Sequence, residues 1–246
     1  MTDIVSHRGG ALLWPENSRA AFENTAKLPV DQVEFDVHFS RDRALVVIHD
    51  ATLDRTTDGT GPVADQDWAA LSGLILRGTG GQRMLLLEEV IAIFRPTPIG
   101  LRLEIKPDAG RMLYPGLPER IIDALSETDM LRRTIVTSFQ IDSVSQAISR
   151  GQPRGTIWLV TPDVQADIGL SAACDLAGQR GVSMLGVRST MLNEAVVRTV
   201  RAAGLGISAW ACNDGATIAR TLALGVDSMT TDRPDLAVIL RSQLAQ

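Results

Sequence analysis

Short apolar runs alternate with segments of helical periodicity along this whole chain, and this alternation constrains the fold more than any other feature. Nine runs have the length and pattern of β-strands: residues 4–7, 33–38, 45–49, 101–106, 134–139, 155–160, 183–188, 207–211 and 226–231. Helical patterns follow most of these runs: residues 18–26, 118–130, 141–149, 171–180, 193–203 and 216–224. Strands that alternate with helices in this way predict βαβ units and a parallel sheet.

The number of runs favours a closed barrel. Residues 45–49 follow residues 33–38 after a connection that is too short for a parallel crossover, so we interpret them as a hairpin return. The remaining eight runs predict a TIM-type (β/α)8 barrel, an α/β fold in which one domain spans residues 1–246 and residues 53–82 form a short loop insertion. An open doubly wound sheet is the alternative, and it is disfavoured because no glycine-rich phosphate loop opens a helix.

Length, composition and charge narrow the function classes. A chain of 246 residues with 45% hydrophobic residues can fill the core of one such barrel. The formal net charge of −5 and the absence of a Lys/Arg run argue against a nucleic-acid partner, so we expect a small-molecule partner. No basic segment followed by an apolar one opens the chain, and no apolar run approaches membrane-spanning length. Together with two distant cysteines, these observations predict a cytoplasmic protein without stable membrane insertion, and the oligomeric state stays open.

Acidic side chains share one face of the second predicted strand. Its period-two alternation places Glu34, Asp36 and His38 on one side and apolar residues on the other. Glu104 and Lys106 have the same spacing near the end of a later strand. Because reactive groups of such barrels lie at the C-terminal ends of the strands, we expect the three carboxylates to converge. The alternatives are a half-exposed surface strand and an exposed Glu104–Lys106 ion pair.

Three converging carboxylates indicate a metal site. They repel one another and raise each other's pKa unless a cation neutralises them. All-oxygen ligands suit one hard divalent cation, Mg²⁺ or Ca²⁺, with Mn²⁺ as a further candidate, and they do not suit zinc. The sequence therefore predicts a metal held by Glu34, Asp36 and Glu104.

Basic residues and histidines at the same strand ends indicate a phosphate ester as the ligand. Arg8 can make forked contacts with phosphate oxygens, and Lys106 can make a point contact. His7 and His49 could act as acid and base on opposite sides of a phosphorus atom. Either histidine by itself is more typical of a packed core residue, but their positions beside the acids favour the catalytic interpretation.

Two further residues are candidates for contacts with a substrate. His38 lies one step beyond the acids, so we expect it at the rim of the site, where it faces either the substrate or the solvent. Trp210 could supply a flat apolar wall, although an isolated aromatic residue is more often part of the core.

An ordered set of motifs resembles the glycerophosphodiester phosphodiesterase family, and in particular its small soluble bacterial members. The motifs are His7-Arg8-Gly9, Pro15-Glu16-Asn17-Ser18, Glu34-Phe35-Asp36-Val37, Val47-Ile48-His49-Asp50, Leu53-Asp54-Arg55-Thr56-Thr57-Asp58-Gly59, Glu104-Ile105-Lys106, Ser138-Phe139, Ala209-Trp210 with Asn213-Asp214, Gly225-Val226-Asp227 and Thr231-Asp232-Arg233-Pro234. No single motif is decisive, but their order and spacing are specific.

The resemblance implies metal-dependent hydrolysis of glycerophosphodiesters, such as glycerophosphocholine and glycerophosphoethanolamine, to sn-glycerol 3-phosphate and an alcohol. Carried over residue by residue, it implies metal ligands at Glu34, Asp36 and Glu104, acid-base residues at His7 and His49, phosphate contacts at Arg8 and Lys106, and a position near the metal at Glu16.

Departures from the family pattern affect loops and pocket walls. Leu85-Leu86 replace the usual Pro-Thr, Ala211-Cys212 replace Thr-Val, and His38 replaces Gln. These differences concern the choice of substrate more than catalysis. The alternative functions are a lyase-type phospholipase that converts lysophospholipids to a cyclic phosphate and a non-catalytic barrel that binds a phosphate ligand.

Overall fold

Eight parallel strands close into a barrel in a computed structural model that describes residues 1–244. The strands are β1 (Asp3–Ser6), β2 (Gln32–Phe39), β3 (Leu45–Val47), β4 (Leu85–Leu86), β5 (Gly100–Ile105), β6 (Thr134–Ser138), β7 (Gly155–Val160), β8 (Met184–Arg188), β9 (Gly206–Trp210) and β10 (Ser228–Thr231). The helices are α1 (Arg19–Thr25), α2 (Trp68–Leu71), α3 (Leu87–Phe94), α4 (Leu117–Glu127), α5 (Ile141–Arg150), α6 (Pro162–Ile168), α7 (Leu170–Gln179), α8 (Glu194–Ala202), α9 (Gly215–Ala223) and α10 (Pro234–Leu244).

The pairing of the strands is that of a TIM barrel. Strand β1 pairs in parallel with β10 and with β2, which closes the ring, and β5 to β9 complete it. The prediction of a hairpin return is confirmed, because β3 pairs antiparallel with β2 through Val37 and Val47. Strand β4 adds a further antiparallel pairing at the edge of β3. The predicted TIM-type fold is thus confirmed, with one irregular corner after β2.

Strand β2 is buried along its whole length, and its two faces have different partners. Phe35 packs in the apolar layer between the barrel and the helices, where Phe22 of α1 lies edge-on to it at 6.0 Å between ring centroids. Phe94 of α3 makes an equivalent contact with Phe22 at 6.0 Å. The aromatic contacts fix the outer face of β2, so its acidic residues face the barrel interior.

The loop insertion at residues 53–82 is more ordered than its composition suggests. It contains α2 and a 3₁₀ turn over Val63–Asp65. Its apolar residues and those of the adjoining strands form a separate small core: Val46, Ile48, Leu53, Val63, Leu71, Leu76 and Met84. The insertion is therefore a packed extension of the irregular corner.

Four helices of the described residues were not predicted from periodicity: α2, α3, α6 and α10. Local capping explains two of them. The Glu89 carboxylate accepts a hydrogen bond from the backbone N–H of Leu86 at 3.1 Å, which closes the first turn of α3. Helix α6 begins with Pro162 after Thr161, whose hydroxyl accepts a hydrogen bond from Val164 N–H at 3.2 Å.

No helix within residues 1–244 is long and apolar enough to cross a membrane.

Replacement of Phe22 by Ala should weaken the apolar layer behind β2. Phe22 is fully buried and contacts two other aromatic rings, so we expect the free energy of unfolding to fall by about 3–5 kcal/mol. Equilibrium urea denaturation measures this change. Phe22→Leu is the control, and it should retain most of the stability because it keeps more of the buried volume. An Ala variant as stable as the Leu variant would contradict this account of the packing.

Candidate active site

Three carboxylates converge on the inner faces of two neighbouring strands. Glu34 and Asp36 extend from β2 and Glu104 extends from β5, where the register pairs Asp36 directly with Glu104. Each offers a carboxylate oxygen, these oxygens all lie within 4.8 Å of one another, and all three residues are buried. The structure thus brings the predicted ligand residues together inside the barrel.

Lys106 supplies positive charge to this cluster. Its Nζ lies 2.7 Å from Glu104 Oε1 and 3.3 Å from Asp36 Oδ1. Lys106 is only 8% exposed, so the pair with Glu104 is not the exposed ion pair that the sequence left open. Burial opposes the charged form of Lys106, but the carboxylates of Glu104 and Asp36 outweigh this effect and raise its pKa.

Arg8 approaches the cluster from the other side through an unusual backbone turn. The 3₁₀ turn His7–Gly9 follows β1, and Arg8 adopts a positive φ of 51° within it. A Cβ on Gly9 would lie 2.7 Å from Cβ of Ala21, so glycine lets the turn pack against α1. The turn directs the backbone N–H of Arg8 to Glu34 Oε2 at 3.1 Å and places Arg8 Nε 3.3 Å from Asp36 Oδ2.

The electrostatics of the cluster fit a bound cation. Burial and the neighbouring Asp36 charge raise the pKa of Glu34 to about 8. Burial also disfavours the ionised form of Asp36, but Lys106 and Arg8 dominate and lower its pKa. Asp36 Oδ1 is buried and accepts no hydrogen bond from the described residues. Because one carboxylate is held in an unfavourable charge state and one oxygen has no donor, the donor set suits a hard divalent cation.

Each candidate catalytic histidine has a carboxylate at its Nδ1 atom. His7 Nδ1 lies 2.5 Å from Asp232 Oδ1, and His49 Nδ1 lies 2.6 Å from Asp50 Oδ1. The Nε2 atom of His7 is 3.9 Å from Glu34 Oε2, next to the acidic cluster. In both histidines the carboxylate at Nδ1 fixes the ring orientation and leaves Nε2 available for a ligand.

The two orienting carboxylates are themselves held in place. Asn213 Nδ2 donates to Asp232 Oδ2 at 2.5 Å, and the backbone N–H of Asp232 donates to Asn213 Oδ1 at 2.9 Å. Arg55 donates from Nε and Nη2 to the two Asp50 oxygens at 2.7 and 3.0 Å. The sequence assigned no role to these four residues, although each lies within a motif of the resemblance.

Glu16 and His38 lie behind the reactive groups. Glu16 accepts hydrogen bonds from Arg8 Nη1 at 3.2 Å and from Arg55 Nη1 and Nη2 at 2.7 and 2.8 Å, so it connects the two arginines. The rim position expected for His38 is wrong, because the residue is 1% exposed. Its ring nitrogens lie 3.1 Å from the Tyr114 hydroxyl and 3.0 Å from the backbone oxygen of His49, and burial lowers its pKa to about 4.

A cavity of about 240 Å³ opens beside the carboxylates. His7, Arg8, Glu34, His49 and Glu104 line one side, and Thr137, Phe139, Leu159 and Trp210 are among the residues that line the other. The first side can neutralise and protonate an anionic ester, while the second side offers mainly apolar surface. A larger depression of about 510 Å³ lies away from these groups and is lined by residues such as Asp142, Arg150 and Arg180.

Proteins of one family resemble this chain over nearly its whole length. The model of the glycerophosphoryl diester phosphodiesterase family matches residues 7–236. A glycerophosphodiester phosphodiesterase of Bacillus altitudinis is 31% identical over 252 residues, which cover 99% of this chain and 100% of that protein. A glycerophosphodiester phosphodiesterase of Caldanaerobacter subterraneus is 30% identical over 244 residues, with 97% of each chain covered. An Agrobacterium tumefaciens protein of known structure, provisionally named a glycerophosphoryl diester phosphodiesterase, has a TM-score of 0.96 at 35% identity, with 100% of this chain and 99% of that chain covered.

Glu34→Gln should stabilise the metal-free protein in alkaline solution. A folded-state pKa of about 8, above the ordinary value of 4.5, means that Glu34 makes the fold less stable as the pH rises between these values. Glutamine keeps the shape and removes the charge. In a chelator at about pH 9, we expect the melting temperature to rise by a few degrees.

The same variant should lose most of the thermal stabilisation that added Mg²⁺ or Ca²⁺ gives the wild-type protein. Glu194→Gln is the matched control, since its carboxylate side chain is 80% exposed on α8. A Glu34→Gln protein that melts below the wild type in chelator would contradict the repulsion described here.

Proposed function

The chain belongs to the glycerophosphoryl diester phosphodiesterase family, and on this premise we propose that it hydrolyses glycerophosphodiesters in a metal-dependent reaction. Substrates such as glycerophosphocholine and glycerophosphoethanolamine would give sn-glycerol 3-phosphate and a free alcohol. One observation supports the proposal: three buried carboxylates, the cations Arg8 and Lys106, and two oriented histidines lie close together beside one cavity.

Glu34, Asp36 and Glu104 would hold one divalent cation, Mg²⁺ or Ca²⁺ or alternatively Mn²⁺. When bound, such a cation supplies positive charge that stabilises the negative charge developing on the phosphoryl oxygens. The carboxylate oxygens match the hard ligands that these ions prefer, and the assignment is supported by Asp36 Oδ1, which accepts no hydrogen bond from the described residues.

Arg8 and Lys106 would bind the phosphate. The Lys106 ammonium donates one hydrogen bond to Glu104 Oε1, and its remaining donors would be available for a phosphoryl oxygen. Arg8 has five N–H donors and is anchored by Glu16 and Asp36, so part of its fork stays available. Cations that are already anchored by ion pairs stabilise charge without reorganisation during the reaction.

His7 and His49 would move the protons. One histidine accepts a proton from the attacking oxygen as the new P–O bond forms, and the other donates a proton to the departing alkoxide as the old P–O bond breaks. Asp232 and Asp50 stabilise the protonated rings through their contacts with Nδ1. The attacking oxygen belongs to water in the hydrolysis proposed here, whereas a substrate hydroxyl would give a cyclic phosphate, and phosphorus NMR distinguishes the two products.

Cytoplasmic localisation remains our expectation for this enzyme. Cys174 and Cys212 are free and buried, which fits a reducing compartment.

Removal of the metal should abolish turnover. Protein stripped by a chelator is assayed on glycerophosphocholine and glycerophosphoethanolamine, with enzymatic detection of sn-glycerol 3-phosphate. We expect activity only after Mg²⁺, Ca²⁺ or Mn²⁺ is added, because without such a cation the three carboxylates would repel the phosphate. Full activity in chelator would refute metal dependence, and no product with any of these cations would refute the phosphodiesterase proposal.

Replacement of either catalytic histidine by Ala should lower kcat by about a hundred- to ten-thousandfold. Metal binding, followed by calorimetry, should stay close to that of the wild type, since neither ring is a proposed ligand. The double variant should be little worse than each single variant if the two histidines act together.

His38→Gln is the matched control for these variants, because His38 is the third of the three histidines and is buried outside the cavity. It should retain activity within a few-fold of the wild type. An active His7→Ala or His49→Ala protein would remove that residue from the mechanism.

A further inference from the structure

The part of the barrel mouth at the ends of β8 and β9 differs in composition from the acidic cluster, because it combines an arginine with aromatic and apolar side chains. In β8 and β9, Leu185, Val187, Ile207 and Ala209 belong to the apolar core between the barrel and the helices. Side chains alternate along a strand, so Arg188 and Trp210 lie on the opposite face, toward the barrel interior. The two residues are register partners at the C-terminal ends of their strands. The Arg188 guanidinium carbon lies 5.6 Å from the centre of the Trp210 ring.

Arg188 differs from the other cations near the site because its side chain has no hydrogen-bonding or ionic partner within the described residues. Carboxylates engage the side chains of Arg8, Arg55 and Lys106, and neutral side chains engage the guanidinium of Arg102. Arg188 is exposed and forms no ion pair or hydrogen bond through its side chain within residues 1–244. It therefore presents an uncompensated charge beside Trp210, which lines the cavity.

The adjoining cavity wall is apolar and tightly packed. Phe139 lies edge-on to Trp210, with the ring centroids 5.6 Å apart, and Leu159 lines the wall next to them. Gly186 occupies the inward position below Arg188, where a Cβ would come within 2.5 Å of Leu159 Cδ2. The absence of a side chain at Gly186 lets Leu159 fill this space.

Polar groups on this wall favour a ligand that accepts hydrogen bonds. Trp210 Nε1 and Thr137 Oγ1 are buried and have no hydrogen-bond partner within the described residues. The indole N–H and the guanidinium can only donate hydrogen bonds. Among the described residues that line the cavity, the carboxylates are Glu34 and Glu104, which belong to the acidic cluster and not to this wall.

We propose, on the basis of the proposed function, that Arg188 and Trp210 form a head-group subsite for glycerophosphodiesters whose alcohol carries an additional anionic group, a carboxylate or a phosphate. The guanidinium pairs with that anion, and the apolar wall contacts the stem of the alcohol. A glycerophosphodiester with a quaternary ammonium head group would still be hydrolysed, but with a lower kcat/KM than one with an anionic head group, because the guanidinium already lies over the aromatic ring that would attract the ammonium and carries the same charge.

Glycerophosphoserine and glycerophosphoethanolamine test the subsite, since they differ only by one carboxylate. Both are assayed as initial rates with wild-type enzyme and with Arg188→Ala, Arg188→Lys and Arg188→Glu, in the divalent cation that supports the highest activity. We expect Arg188→Ala to lower kcat/KM for glycerophosphoserine about tenfold, mainly through KM, with little change for glycerophosphoethanolamine. Arg188→Lys should keep part of the preference for glycerophosphoserine over glycerophosphoethanolamine, and Arg188→Glu should reverse this preference.

Arg198→Ala is the matched control, because Arg198 is an exposed arginine on α8 whose side chain is 71% exposed. It should leave both rates unchanged. If the wild type hydrolyses both substrates and no Arg188 variant alters the ratio of their kcat/KM values, the subsite is overturned and the proposed function stands. Equal losses of kcat/KM for both substrates would also overturn the subsite, since they would indicate that Arg188 contributes to the binding of every substrate. Absence of hydrolysis of any glycerophosphodiester by the wild type would overturn the subsite and the proposed function together.

Discussion

Mutual repulsion of three buried carboxylates is the constraint on which the rest of this site depends. Glu34, Asp36 and Glu104 lie within 4.8 Å of one another, and burial makes each ionised form costly. Two cations at the ends of strands compensate this repulsion: Arg8 after β1 and Lys106 after β5. Because neighbouring parallel strands end at the same edge, a chain can place these opposite charges together from positions that are distant in sequence.

The compensating groups are in turn held by a second set of contacts. Glu16 connects Arg8 with Arg55, and Arg55 holds Asp50, which orients His49. A continuous chain of contacts therefore runs from the acidic cluster to His49, and it begins with the ion pair between Arg8 and Asp36 and continues through charge-assisted hydrogen bonds. Such networks are stronger than isolated surface pairs, since each member restricts the geometry of the next. A substitution at Glu16 would accordingly disturb the positions of both Arg8 and Arg55.

Local periodicity in the sequence predicts on which face of a strand a residue lies. It does not predict the contacts of that residue, because these depend on packing between distant parts of the chain. The alternation in β2 correctly placed Glu34 and Asp36 on one face, and the same spacing correctly placed Glu104 and Lys106 together, whereas only the structure shows that β2 and β5 are neighbours. His38 obeys the same alternation, but β3 and Tyr114 cover it, which no local pattern reveals. The contact between His7 and Asp232 joins residues 225 positions apart, so only the closure of the barrel discloses it.

Arg102 shows why the charge balance of the whole cavity matters for the reaction. It is 3% exposed, lines the same cavity as Glu34 and Glu104, and donates hydrogen bonds to the neutral side chains of Ser208 and Ser228 at 2.9 and 2.8 Å. Burial lowers the pKa of Arg102 to about 10, so it stays charged at neutral pH. Arg102 and Arg8 therefore place two guanidinium groups on the lining of the cavity, beside the carboxylates of Glu34 and Glu104. A divalent cation bound to the acidic cluster would add positive charge, and the field in the cavity would then favour the entry of a phosphodiester monoanion.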